Sequence, residues 1–442
     1  MSLSLVDCLT TTDALAGVFS DDAVLAAMLE FEAALARASA AAGVIPGRAA
    51  TAIADAAAAA GFDAASIAAA ARAGATPAIP LVKALRDRVR QQDEEAASYV
   101  HWGATSQDVT DTALILLLRR AHPIVAADHG RLVSGLRALS DRHAATVMLG
   151  RTLLQPATPI TFGLKVAGWA APIARAWRRL DRAWTAAMVI QLGGAAGTLA
   201  AMGAEGVTVA QGLAAALDLR PAPPWHTDRD RLGALVAACG LYAAALAKAA
   251  RDIALMMQAE VREAAEAGGG SSTMPQKQNP SGCALTLAAA VRVPGLVASY
   301  LAAMVQEHER GAGGLQAEWP IVSATVQSTG AAAAALAGVI DGLSVDPARM
   351  RSNLESTGGT VFAERAVLLL SRSIGREKAE RMVAEAIARS RHDAVPFASA
   401  LKSAIDQEPA LPDGVLDALD RPERYLGSAD AIRDALLGEI DE

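Results

Sequence analysis

The sequence is poor in aromatic residues, poor in cysteine and short of positive charge, and each shortage narrows what the chain can be. Aromatic side chains make up 4% of its 442 residues. Strand-type runs of β-branched and aromatic residues are correspondingly scarce, while alanine and leucine, both strong helix formers, are plentiful. The composition predicts a mostly α protein, and the length allows two or three domains around a large core. Lysine and arginine total 40 against 47 acidic residues, a formal net charge of −7 and a pI near 5.6. That balance argues against nucleic acid as a partner, because phosphate binding needs a basic surface. The three cysteines, Cys8, Cys239 and Cys283, are odd in number and lack metal-ligand spacing. They read as reduced structural thiols of a cytoplasmic protein. The N-terminus has no basic region followed by an apolar one, so no signal peptide is expected. Mean hydropathy is nevertheless high, +0.27. The most apolar stretches, 284–305 and 324–340, are interrupted by Arg292 and Pro294 and by Gln327, Ser328 and Thr329. Both read as buried bundle helices rather than membrane spans.

What is present is helical periodicity. Ser20 is placed to cap a helix that opens with Asp21 and Asp22. Val24, Leu25, Met28, Leu29, Phe31, Glu32 and Leu35 then form one stripe. With shorter alanine-rich helices this gives a first α domain over 1–103. Long helices are expected over 107–148, 164–189, 228–266, 282–306 and 321–343, forming a central bundle domain over 104–345. The 228–266 helix alone would be on the order of 58 Å long, a length suited to a bundle shared between subunits. Arg229, Arg231, Arg251 and Arg262 read as solvated or paired on its outer faces. Asp346-Pro347 opens a smaller α domain over 346–442, with Gly358-Gly359 as a turn.

Polar chemistry concentrates where helices are interrupted. Residues 268–280, Gly-Gly-Gly-Ser-Ser-Thr-Met-Pro-Gln-Lys-Gln-Asn-Pro, cannot continue a helix. The run carries a serine pair, a cation and side-chain amides, the parts needed to hold a carboxylate and move a proton beside it. A plain inter-helix loop is the alternative. At 101–113, Thr105 and Asp108 match a capping pattern. Thr105 and Ser106 also suit a carboxylate at a helix N-terminus. Residues 150–163 read as an irregular joint. Residues 191–199 contain Gly-x-x-Gly without a preceding strand, which speaks against a dinucleotide site. At 306–319, His308 and Glu309 have no second histidine at metal-binding spacing; Arg310 is a candidate carboxylate binder.

Residues 270–280 resemble the signature loop of the fumarase/aspartase superfamily, which includes adenylosuccinate and argininosuccinate lyases and bacterial carboxymuconate cycloisomerases. Segments 101–113, 150–165 and 191–199 are similar to its other motifs, so the likeness spans nearly the whole chain. It implies an all-α, three-domain fold with a central bundle of long helices. It also implies a homotetramer whose active sites are shared between subunits, with neither metal nor organic cofactor. The substrate would be a small di- or tricarboxylate.

One departure is informative. Fumarases and the nucleotide lyases have an acid/base histidine where this chain has Leu153, and leucine carries no proton. The cycloisomerase branch likewise has an apolar residue there. Segment 191–199 and the Gly/Ala/Trp tract at 311–319 also resemble that branch. The resemblance therefore implies closure of 3-carboxy-cis,cis-muconate to a lactone in bacterial protocatechuate breakdown, the β-ketoadipate route. Ser271 matches the proton-transferring serine, with Ser272 the alternative, and Lys277 would stabilise charge. His101, Thr105, Ser106, Thr152, Gln155, Met274, Asn279 and Arg310 would bind substrate, a structural hydrogen bond being the alternative for His101. The rival readings are a lyase releasing fumarate from a substituted succinate, of nitrosuccinate or adenylosuccinate type, and a non-catalytic structural homologue.

Overall fold

The computed structural model describes residues 5–270, 273–406, 414, 416–417 and 419–441. The chain divides into two compact units, residues 1–130, 176–247 and 285–336 in one, and 131–175, 248–284 and 337–442 in the other. The five longest helices are Ser106–Arg142, Phe162–Ala187, Asp230–Met256, Ser281–Ala303 and Gly314–Asp341. The predominantly helical fold expected from composition is what is found.

In the first unit, helix Asp21–Ala41 begins as expected, with the Ser20 hydroxyl accepting from the amide of Ala23. Its stripe buries Met28, Phe31 and Leu35, and Glu32 is buried among them. The longer helices pack closely because small residues face their neighbours. A Cβ at Gly233 would lie 2.7 Å from Met304 Sδ, and one at Gly240 would lie 3.1 Å from Val297. These two glycines, seven residues apart on one face, let Asp230–Met256 approach Ser281–Ala303. The thiols of Cys8, Cys239 and Cys283 are all free.

In the second unit, the stretch expected to be an irregular joint is a hairpin. Strand Val147–Thr152 pairs antiparallel with Gln155–Thr161, with a bulge between Leu149 and Arg151. Pro156 and Pro159 argued against a strand in the sequence. A two-stranded sheet tolerates them because each strand is an edge. Gly150 sits at the bulge, where a Cβ would come within 2.4 Å of the Thr158 carbonyl oxygen. Ala264–Ala265 and Ser344–Val345 form a second short pair. Asp346 caps helix Pro347–Glu355 through the Arg349 amide, as its sequence suggests. The turn at Gly358 and Gly359 has positive φ at both residues. Beyond it, Phe362, Leu370, Val383, Phe397 and Leu401 form a core.

Three helix expectations need correction. Helix 228–266 stops at Met256, which shortens it to about 40 Å. No glycine or proline marks that end; the Glu263 amide instead turns back onto the Met256 carbonyl. The last bundle helix begins at Gly314, seven residues before its expected start, and runs through Pro320. The third concerns burial. Asp230–Met256, Ser281–Ala303 and Gly314–Asp341 each have the length and apolarity of a membrane span. Within the chain, 56% and 61% of the apolar stretches of the first and last are buried, but only 28% for Ser281–Ala303. Leu285, Val291 and Leu301 on that helix are exposed. It is not a buried helix in a single copy of the chain.

Candidate active site

In the first unit, the N-terminus of helix Ser106–Arg142 meets the 304–313 loop. Arg310 donates from Nη1 to the Thr105 hydroxyl at 2.6 Å and from Nη2 to the Ser106 hydroxyl at 3.1 Å. Half of the expected capping pattern is present: the Thr105 amide donates to Asp108 Oδ2 at 3.0 Å. The Thr105 hydroxyl, which an ordinary cap would aim at the helix amides, faces Arg310 instead. A guanidinium fork, two hydroxyls and a helix N-terminus together form a carboxylate-sized recognition set.

Asp108 organises this corner. It is fully buried and also accepts from the amides of Gly193 and Gly194, at 3.0 and 2.9 Å. His226 Nε2 lies 2.7 Å from Oδ1, the oxygen that also accepts from Gly193. The glycine turn at 191–199 therefore directs its amides at a protein carboxylate, which is why it resembles a phosphate loop without being one. One turn further along, Asp111 pairs with Arg229. Arg229 Nη1 and Nη2 donate to Asp111 at 2.8 Å each, and Nε and Nη2 donate to Glu318 Oε2 at 3.0 and 2.7 Å. All three side chains are fully buried. The expectation that Arg229 lies on an outer face is thus overturned. Its partners are 118 and 89 residues away in sequence, so no local pattern announces them. Burial pushes the Glu318 carboxyl above its ordinary pKa, with Arg229 opposing that rise.

His101 makes the hydrogen bond that its structural alternative calls for. Its Nδ1 lies 2.7 Å from Glu32 Oε1. Burial disfavours the imidazolium, but the Glu32 carboxylate outweighs it and raises the His101 pKa. The pair also explains a carboxylate on the core stripe of helix Asp21–Ala41.

The second unit carries the remaining candidates. Thr152 and Gln155 are cross-strand partners at the hairpin end, and both are exposed. Between them Leu153 and Leu154 have φ of 51° and 63°. A two-residue turn with both φ positive is usually built from Asn-Gly, and a leucine held there costs about 1–2 kcal/mol. These leucines are also 95% and 75% exposed. Strain combined with exposed apolar surface is a combination associated with functional sites. The hairpin is anchored by Arg151, which makes two bonds to the buried Glu263, at 2.9 and 2.7 Å, while Asn353 adds a third at 2.9 Å.

Three residues beyond Glu263, Glu266 accepts from the amides of Gly282 and Cys283 at 2.7 and 2.9 Å. It thereby caps helix Ser281–Ala303, directly after the signature loop. The loop closes at its base through a 2.8 Å bond from the Asn279 amide to the Gly269 carbonyl. A Cβ at Gly269 would lie 2.1 Å from the Asn279 oxygen, so this position requires glycine. Met274 and Lys277 are exposed and Asn279 is half-buried; Lys277 makes no ion pair among the described residues. Ser271 and Ser272 lie outside the described residues. Glu263 and Glu266 were not singled out by sequence reasoning, since each works through partners outside its own local stretch.

Long helices of this kind, with polar groups gathered at their ends, suit one class, and the chain belongs to it: the fumarase/aspartase superfamily, whose Lyase family model matches residues 8–295. The 3-carboxy-cis,cis-muconate cycloisomerase of Bradyrhizobium diazoefficiens is 45% identical over 426 residues, covering 95% of this chain and 94% of that protein. The crystal structure of 3-carboxy-cis,cis-muconate lactonizing enzyme from Pseudomonas putida matches with a TM-score of 0.93 and 41% identity, covering 99% of each chain. A nitrosuccinate lyase of Streptomyces davaonensis is 40% identical over 435 residues, 96% of this chain and 92% of that protein.

Proposed function

We infer that the protein closes 3-carboxy-cis,cis-muconate to 4-carboxymuconolactone. The observation that carries this reading is the near-full-length likeness to proteins of that name, at 45% identity in one case and a TM-score of 0.93 in another. Leu153 agrees with it. In ring closure the nucleophile is a carboxylate of the substrate itself. Its oxygen forms a bond to one alkene carbon, the π electrons move toward a neighbouring carboxylate, and an enolate-like species results. A proton then joins the carbon next to that carboxylate. No base has to activate an external nucleophile, so an apolar residue at the hairpin tip is compatible with the chemistry.

The assignment of roles follows the same chemistry. Lys277 would neutralise the charge that develops on the carboxylate, an effect worth about 3 kcal/mol if comparable to an oxyanion-hole donor. Ser271 would deliver the proton, with Ser272 as the alternative. A free serine is too weak an acid to do this alone, so Lys277 and loop amides assist it. Thr105, Ser106 and Arg310 would hold one substrate carboxylate, and Thr152, Gln155 and Asn279 the others, with Met274 beside them. A small polyanion as substrate, together with unpaired cysteines, fits a cytoplasmic enzyme.

The assembly we propose is a homotetramer with shared sites. The uncovered apolar side of helix Ser281–Ala303 supports it, because symmetric contact with further copies is the usual way such a surface is buried. The second functional reading, release of fumarate from nitrosuccinate, is favoured by the 40% identity to a nitrosuccinate lyase. A direct assay separates the two. With chelator in excess, the purified protein should remove the muconate absorbance. Formation of fumarate from nitrosuccinate, with the muconate left untouched, would replace the cycloisomerase reading by the lyase one.

A further inference from the structure

The guanidinium of Arg310 is exposed and reaches the Thr105 and Ser106 hydroxyls from an irregular loop. A long side chain on such a loop holds one geometry only if something fixes the loop. The buried charges nearby provide the means. Glu318, already bonded to Arg229, accepts a further bond on Oε1 from Gln306 Nε2 at 2.7 Å. Gln306 opens the turn that leads to Arg310, and the turn folds back over it. A Cβ at Gly311 would lie 2.8 Å from Gln306 Oε1, and one at Gly314 would lie 3.0 Å from its Nε2. Gln306 Oε1 is itself buried with no hydrogen-bond partner. Turning the amide over would set that oxygen against the Glu318 carboxylate, so the orientation is fixed by charge. On the opposite flank, the Thr227 hydroxyl donates to the His308 carbonyl at 3.1 Å.

Arg229 thus ties together both sides of the contact. Through Asp111 it holds the helix that begins at Ser106, and through Glu318 and Gln306 it holds the loop that carries Arg310. We propose that Gln306 is a positioning residue for the reaction, one that fixes Arg310 against Thr105 and Ser106 by relaying the buried Arg229–Glu318 pair to the loop. The proposal rests on the reading that Arg310 binds a substrate carboxylate. A buried ionic group with a tolerated unmet acceptor is an arrangement that core packing alone does not require.

The test is a double-mutant cycle on the purified enzyme with 3-carboxy-cis,cis-muconate as substrate. Gln306→Ala leaves the Arg229–Glu318 pair intact and releases only the loop. It should raise KM about tenfold while kcat stays within about twofold, as expected for lost uniform binding. In an Arg310→Ala background, the same substitution should change KM by less than about twofold, because nothing remains to be positioned. A merely structural Gln306 would raise KM by the same factor in both backgrounds, and that result overturns the proposal. So does an unchanged KM in Gln306→Ala. The single variant Arg310→Ala reports separately on the underlying reading: if its own KM is normal, Arg310 does not hold substrate, and any effect of Gln306→Ala arises elsewhere and contradicts the proposal.

Discussion

Lys277→Met should lower kcat by about 10²–10³-fold, the loss seen when a single charge-stabilising donor is removed from a site where negative charge develops. Methionine keeps the length and apolar stem of lysine and removes only the ammonium. Lys277 is exposed and unpaired among the described residues, so its loss should leave folding unaffected, and a thermal melt close to that of the unmodified protein would show this. Ser271→Ala should cut kcat by about 10²-fold, with little change in KM, as loss of a positioned proton donor does. If Ser271→Ala turns over normally while Ser272→Ala is inactive, the proton donor is the second serine. Normal turnover in Lys277→Met would remove the cation from the mechanism altogether.

Two inactive variants should restore each other's activity. In the proposed shared-site tetramer, Gln155 and Ser271 of any one site would come from different subunits. Gln155→Ala and Ser271→Ala, each inactive alone, then form some sites with both defects and some with neither when co-expressed or refolded together. Random mixing in equal amounts leaves about one quarter of the sites intact. Turnover should recover to that order, from a background at least about 10²-fold lower. A chain that scatters light as a monomer, or mixed oligomers with no recovered turnover, would mean that each subunit carries its own site. The exposed Leu285, Val291 and Leu301 would then need another cover.

The candidate site segments were legible in the sequence because they interrupt helices. Glycine, proline and hydroxyl residues stand out in an alanine-rich chain, and the non-helical stretches at 268–270 and 273–280 and the turn before Ser106 are found where those residues cluster. Caps were legible for the same reason: Ser20 and Asp346 each act through the amide three residues on. Groups whose partners are remote were not legible. Arg229 was read as an outer-face arginine because its own neighbours are helical, while the carboxylates that bury it lie on two other helices. The hairpin at 147–161 was missed because Pro156 and Pro159 argue against strands wherever the partner strand is unknown. Glu32 shows the intermediate case. Its place on the core stripe was visible, and His101 was noted, but the bond joining them needs the fold.

The central claim is that the chain closes a lactone through an enolate-like intermediate that is protonated on carbon. Proton NMR of the product formed from 3-carboxy-cis,cis-muconate in deuterium oxide tests this most directly. The expected product is 4-carboxymuconolactone carrying one solvent-derived deuterium, on the carbon next to the carboxylate that held the developing charge. Lactone without deuterium at that carbon, or no lactone from this substrate while nitrosuccinate yields fumarate, would contradict it.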